Sequence, residues 1–129
     1  MYRIFIVEDD EVIARVLGEH LCQWGYTTQC VQDFEHVLAE VDAFAPQLIL
    51  LDNFLPDGKG IDLIRHAVST HYKGRIIFIT ADNHMETISE ALRLGVFDYL
   101  IKPVHYQRLQ HTLERFARYP ISLLILHPR

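Results

Sequence analysis

The chain has 129 residues, half of them hydrophobic and 22% charged, which is the balance of one globular domain and not of a disordered segment. Its 17 acids against 12 Lys and Arg give a net charge of −5, which argues against binding DNA through phosphate neutralisation. No apolar run approaches the ~20 residues that span a bilayer, and the start runs straight into carboxylates, so no membrane segment or signal peptide is expected and the expected compartment is the cytoplasm.

The first strand is Ile4–Val7, β-branched and aromatic, ending in acids. From Asp10 to Trp24, apolar residues at Val12, Ile13, Val16, Leu17, Leu21 and Trp24 follow helical spacing, and Gly25 closes that helix. Thr27–Val31 reads as a second, weaker strand. Asp33 caps a helix that runs to about Phe44, with Phe34, Val37, Leu38 and Val41 on one face, and Pro46 stops it. Leu48-Ile49-Leu50-Leu51 is apolar without alternation, as in a strand covered on both faces, and Asp52 follows it directly.

Gly58 and Gly60 mark a tight loop before a helix over Ile61–His71. Arg75–Ile79 gives a fourth strand ending at Thr80, and His84–Leu94 a fourth helix closed by Gly95. Phe97–Ile101 is a fifth strand, ended by Lys102-Pro103. A fifth helix spans His105–Arg118 with Leu109, Leu113 and Phe116 inside. Five strands alternating with five helices predict an α/β fold, a flavodoxin-like (βα)5 sandwich with a parallel sheet and helices on both faces. Right-handed crossovers put the loops after the strands along one edge, where ligands of such sheets bind.

At those strand ends stand Glu8-Asp9-Asp10, Asp52, Thr80 and Lys102. Converging carboxylates repel one another, and a hard divalent cation such as Mg²⁺ (or Mn²⁺) resolves this with oxygen ligands. An Asp beside such a cation can serve as nucleophile and take a phosphoryl group. Thr80 can donate a hydrogen bond to a phosphate oxygen, and Lys102 can pair with Asp52 or with phosphate. Phosphoryl transfer needs mostly positioning and charge stabilisation, which this set supplies.

Four stretches, Ile6-Val7-Glu8-Asp9-Asp10, Leu50 to Gly58, Ile79-Thr80-Ala81 and Asp98 to Pro103, resemble the motifs of response-regulator receiver domains of bacterial two-component systems. The resemblance runs from about Tyr2 to Arg118 and gives a receiver domain over residues 1–118. It implies that Asp52 is the phosphoacceptor, fed by a sensor histidine kinase with Mg²⁺. Asp9 would bind the metal directly, Glu8 through water, and Phe54 through its backbone carbonyl. Asp10 makes a third acid, so a pair shifted by one position stays open. Thr80 would be the switch hydroxyl and Tyr99 the aromatic switch. Phosphorylation and dephosphorylation would be self-catalysed, so the domain is not an enzyme acting on outside substrates. Helix four, strand five and helix five would form the remodelled surface on which a partner or second copy docks. Asp82 is a candidate for tuning the phosphoryl lifetime. From Pro46 to about Tyr119 the chain is similar to regulators of citrate and C4-dicarboxylate metabolism, which carry a helix-turn-helix effector, implying a role in transcriptional control. Its first forty residues, with Trp24-Gly25-Tyr26, are more similar to receivers of the winged-helix class.

Particular residues argue against other functions. A metal-dependent phosphohydrolase needs an acid two residues past the nucleophile, where this chain has Phe54. A flavin protein needs a hydroxyl- and glycine-rich loop in place of Glu8-Asp9-Asp10, which would repel a phosphate. An unphosphorylated receiver-like interaction module would not need the full residue set. The eight histidines lack zinc spacing and read as solvated surface residues. Cys22 and Cys30 make no metal or redox pair and read as small, reduced core residues. Residues 119–129 contain Ile121-Ser122-Leu123-Leu124-Ile125-Leu126, too apolar for a polar linker. A linker remnant, a strand packed on its own or a neighbouring domain, and an end foreign to the natural chain all stay open.

Overall fold

A computed structural model describes residues 2–55, 58–81 and 85–118. The elements run β1 (Arg3–Val7), α1 (Glu11–Gln23), β2 (Thr27–Val31), α2 (Phe34–Phe44), β3 (Leu48–Asp52), β4 (Phe54–Leu55), β5 (Gly58–Lys59), α3 (Gly60–Ser69), β6 (Arg75–Thr80), α4 (Met85–Leu94), β7 (Asp98–Ile101) and α5 (Tyr106–Arg118). Five strands form one parallel sheet in the order β2-β1-β3-β6-β7. The expected flavodoxin-like fold is therefore present.

The central strand β3 is buried along its whole length, which explains its lack of hydropathic alternation. Its side chains still alternate between faces. Ile49 and Leu51 join Phe5, Val7 and Phe78 beneath the α2–α3–α4 layer. Leu48 and Leu50 join Ile4, Ile6 and Ile77 beneath α1 and α5, where Leu17, Leu21, Leu109, Leu113 and Phe116 pack. Each such side chain contributes about 1.5–3 kcal/mol on burial. The same parallel stacking carries the carboxyl ends of β1, β3, β6 and β7 to one edge.

The helix ends follow local chemistry. Asp10 caps α1, its carboxylate accepting from the amides of Val12 and Ile13 at 2.9 and 3.1 Å. Asp33 caps α2 through the His36 amide at 2.8 Å. Gly25 and Gly95 take the left-handed backbone expected after a helix, with φ of 96° and 100°. The second helix ends at Phe44 as expected, two residues before Pro46, and Ala45 at its end turns left-handed at φ 51°.

Other boundaries shift for identifiable reasons. The third helix ends at Ser69, short of His71, because the Ser69 and Thr70 hydroxyls donate back to the His66 carbonyl and His71 turns left-handed. The fifth starts at Tyr106, with His105 supplying the carbonyl that accepts from the Leu109 amide. Phe97 is buried but precedes β7. The tight loop expected around Gly58 contains an antiparallel ribbon that pairs Phe54 with Lys59 and Leu55 with Gly58.

Three side-chain expectations fail. Val12 and Ile13 do not share the buried face of α1 but lie 58% and 43% exposed. Cys22 and Cys30 are free thiols as expected but exposed. Cys22 is rotated one residue past buried Leu21, and Cys30 lies on the edge strand β2. His20 is not a solvated surface residue: its ring stacks on Tyr106 at 3.8 Å and its Nδ1 donates to the Val16 carbonyl. The starting residue of the expected fourth helix, His84, the lifetime candidate Asp82 and the apolar run in 119–129 all lie outside the described residues.

Candidate functional site: a carboxylate cluster at the sheet edge

β1 delivers Glu8 and Asp9, β3 delivers Asp52, and the loop after β7 delivers Lys102. One carboxylate oxygen from each of Glu8, Asp9 and Asp52 lies within 4.8 Å of the others. Glu8 and Asp52 are buried, each 4% exposed, while Asp9 opens to solvent. The Lys102 ammonium sits between the two buried acids, 3.0 Å from Glu8 Oε1 and 3.2 Å from Asp52 Oδ2. The Lys102–Pro103 peptide is cis.

The electrostatics follow from this crowding. Burial pushes the Glu8 carboxyl up to about 7, Lys102 pulls it back, and the Asp52 charge adds to the rise. Burial pulls the Lys102 ammonium down, but its bond to Glu8 and the Asp52 charge outweigh that, so its net direction is up. Among the described residues, Lys102 is the cation that faces these three acids, and the set has room for more positive charge. Three converging carboxylates, one of them open to water, are the oxygen-rich donor set that a hard divalent cation takes. Asp10 is not in this group; its carboxylate is spent on the α1 cap, although its amide donates to Glu8 Oε2 at 3.2 Å.

Thr80 ends β6, fully buried, and its carbonyl accepts from the Lys102 amide at 2.9 Å. Tyr99 lies on β7 opposite Phe78, half-buried, with its ring against the α2–α3–α4 core layer. Phe54 follows the cluster, its amide donating to Asp52 Oδ1 at 3.3 Å and its side chain 46% exposed.

Two residues hold positioning roles that the sequence analysis did not assign. Asn53 is buried; its amide donates to the Ile79 carbonyl at 3.0 Å and its Oδ1 accepts from the Ile61 amide at 3.2 Å. It thereby pins the turn after Asp52 to β6 and to the start of α3. Gly60 comes so close beneath that turn that a Cβ would lie 2.5 Å from the Asp52 carbonyl oxygen and 2.9 Å from Asn53 Cα. In sequence, Asn53 stands only as a member of the Leu50–Gly58 motif and Gly60 only as a mark of the tight loop that follows it.

The profile of the response regulator receiver domain matches residues 4–114. The chain belongs to that family. It is 70% identical over 120 residues to the transcriptional regulatory protein CitB of Klebsiella pneumoniae, covering 92% of this chain and 51% of that protein. It is 45% identical over 117 residues to the transcriptional regulatory protein DpiA of Escherichia coli K12, covering 89% and 52%. The chain thus spans about half the length of the curated relatives it matches. Among solved structures, a BeF3-activated DrrB receiver domain superposes with a TM-score of 0.81 at 28% identity, covering 92% of this chain and 98% of that one. A two-component response regulator from Clostridium difficile gives 0.86 at 25% identity, covering 92% and 97%. This receiver domain places its buried acids, hydroxyl and lysine along the edge that the parallel fold makes available. Among the described residues, no helix is long and apolar enough to cross a membrane.

Proposed function

We propose that Asp52 of this receiver accepts a phosphoryl group from the phosphohistidine of a sensor kinase. The observation that carries the reading is Lys102 bridging buried Glu8 and Asp52, with Asp9 completing the carboxylate group. An Asp52 oxygen forms the new P–O bond as the P–N bond breaks, and the electron pair leaves on the kinase imidazole. Asp9 and Asp52, with the Phe54 carbonyl, would hold Mg²⁺ or Mn²⁺, and Glu8 would bind through water. Such a cation offsets charge on the transferring phosphoryl oxygens. Lys102 exchanges its Asp52 contact for a phosphate oxygen, and the Thr80 hydroxyl donates to another.

Phosphorylation then biases a two-state equilibrium in which Thr80 moves toward the phosphate and Tyr99 turns inward. Transfer and hydrolysis are catalysed by the receiver's own groups. The kinase would dock on the exposed Val12 and Ile13 of α1, beside the cluster. The α4–β7–α5 face, with Leu92 and Ile101 exposed, would carry the signal to a second copy or partner. The likeness to two transcriptional regulators supports an output in gene expression through an effector outside this chain, and a cytoplasmic location.

Incubation with Mg²⁺ and acetyl phosphate, read by intact mass spectrometry, tests the assignment. The native chain should gain one phosphoryl mass only with metal present, and Asp52→Ala should gain none. A folded, metal-binding native chain that stays unmodified would overturn the phosphoacceptor reading.

A further inference from the structure

Phosphoryl transfer to Asp52 depends on Lys102, and Lys102 stands on a loop that the core supports poorly. The loop leaves β7 after Ile101, and α5 begins only at Tyr106. One end is tied down, since the Lys102 amide donates to the Thr80 carbonyl at 2.9 Å. That bond fixes the backbone but not the charge, because a flexible four-carbon stem separates the two. Beside the loop lies a hollow of about 480 Å³, lined by Ile13 and Leu17 of α1, Ile79 of β6, and Lys102, Val104 and Tyr106. Interiors are otherwise close-packed, and a gap forfeits the contacts that hold side chains in one rotamer.

An aromatic pair closes the other end of the loop. The Tyr106 ring lies flat on the His20 ring of α1, with centroids 3.8 Å apart and planes 3° from parallel. His20 is itself fixed from two sides. Its Nδ1 donates to the Val16 carbonyl at 2.9 Å, and the Trp24 ring meets it edge-on at 5.9 Å. A held imidazole therefore holds Tyr106, the first residue of α5, in the turn before buried Leu109. The loop is thus tied to β6 at Lys102 and to α1 at Tyr106, with the hollow between.

We propose that the His20–Tyr106 stack is a positioning device for Lys102. It keeps Val104 and the first turn of α5 against the hollow, and so keeps the ammonium aimed at Glu8 and Asp52. The inference rests on the reading of Asp52 as phosphoacceptor. It adds two positioning residues, one on α1 and one on α5, that act through Lys102. The ring of Tyr106 does this work, so phenylalanine serves in its place.

Labelling of the full chain by acetyl phosphate at saturating Mg²⁺ tests this. Tyr106→Ala and His20→Ala should each slow labelling about tenfold or more, the usual scale for a displaced group. Mg²⁺ affinity should stay within twofold. The two changes together should cost no more than either alone, since each removes the same stack. Tyr106→Phe should label within twofold of the native rate. Tyr72→Phe, at the edge where the strands begin, should do the same and separates positioning from a general loss of stability. Amide hydrogen exchange needs no phosphoryl transfer. Residues 102, 104 and 105 should exchange about tenfold faster in Tyr106→Ala than in the native chain or Tyr106→Phe. Native-rate labelling by Tyr106→Ala overturns the proposal. So do multiplied losses in the double variant, a Tyr106→Phe chain as slow as Tyr106→Ala, or unchanged exchange in the loop. A native chain that takes no phosphoryl group refutes the phosphoacceptor reading instead, and the exchange comparison then decides whether the stack holds the loop.

Discussion

Replacing Glu8 with Gln isolates the electrostatic load of the carboxylate cluster. Burial and the neighbouring Asp52 raise the Glu8 carboxyl from its ordinary 4.5 to about 7, against the opposing pull of Lys102. At about 1.4 kcal/mol for each tenfold in proton affinity, that rise corresponds to about 3 kcal/mol. The folded state holds the proton more tightly than the unfolded chain. Its contribution is therefore fully present below 4.5 and is lost as pH rises through 7. Urea unfolding in the presence of a chelator, at pH 5 and pH 8, should show the native chain losing about 2–3 kcal/mol more than Glu8→Gln across that interval. Asp33 raises His36 and so gives a loss in the same direction, but it is present in both proteins and cancels in the comparison. Any hydrogen bond to Lys102 that Gln keeps or loses shifts the variant equally at both pH values. Parallel pH dependences, within about 0.5 kcal/mol, would refute the idea that buried Glu8 resists ionisation without added positive charge.

Asp10→Ala should cost about 1 kcal/mol of stability through loss of the α1 cap, while leaving Mg²⁺ affinity within about twofold in a fluorescence or calorimetric titration. A large loss of metal affinity would instead move the ligand pair one position along the chain. Gly60→Ala drives a methyl into the Asp52 carbonyl and the Asn53 backbone, and should destabilise by about 2–3 kcal/mol and slow acetyl phosphate labelling. Unchanged stability in thermal unfolding would mean that the turn after Asp52 relaxes freely. Tyr72→Phe removes the donor to the Pro46 carbonyl and should cost about 1 kcal/mol in urea unfolding, with Mg²⁺ binding unaffected because the bond lies at the far edge of the sheet. Asp52→Asn should retain the fold in circular dichroism and lose phosphoryl uptake; uptake at another residue would relocate the acceptor.

The order of the fold was legible because its signals are local. The unbroken apolar run at Leu48–Leu51, helical spacing around Leu17 and Leu21, and Gly25 and Gly95 after helices each reflect a residue's own backbone or burial preference. The acids, Thr80 and Lys102 were legible as a set because right-handed parallel crossovers leave the strand ends no other edge to share. Which acids act together stayed open by one position, since Glu8, Asp9 and Asp10 are chemically alike in sequence and only the resemblance to receiver domains pointed to Glu8 and Asp9. The difference arises when Asp10 turns to cap α1 and Glu8 goes beneath Lys102. The exposure of Val12, Ile13, Cys22 and Cys30 was likewise decided by packing, because an apolar periodicity does not say where a helix's buried face ends. Asn53 and Gly60 gained their positioning roles only when α3 closed against the turn after β3. Sequence by itself set the strand–helix alternation and the chemical inventory of the site, through local preference and chain handedness. Tertiary structure decided charge pairing, burial and the His20–Tyr106 stack, because those depend on contacts between residues far apart in the chain.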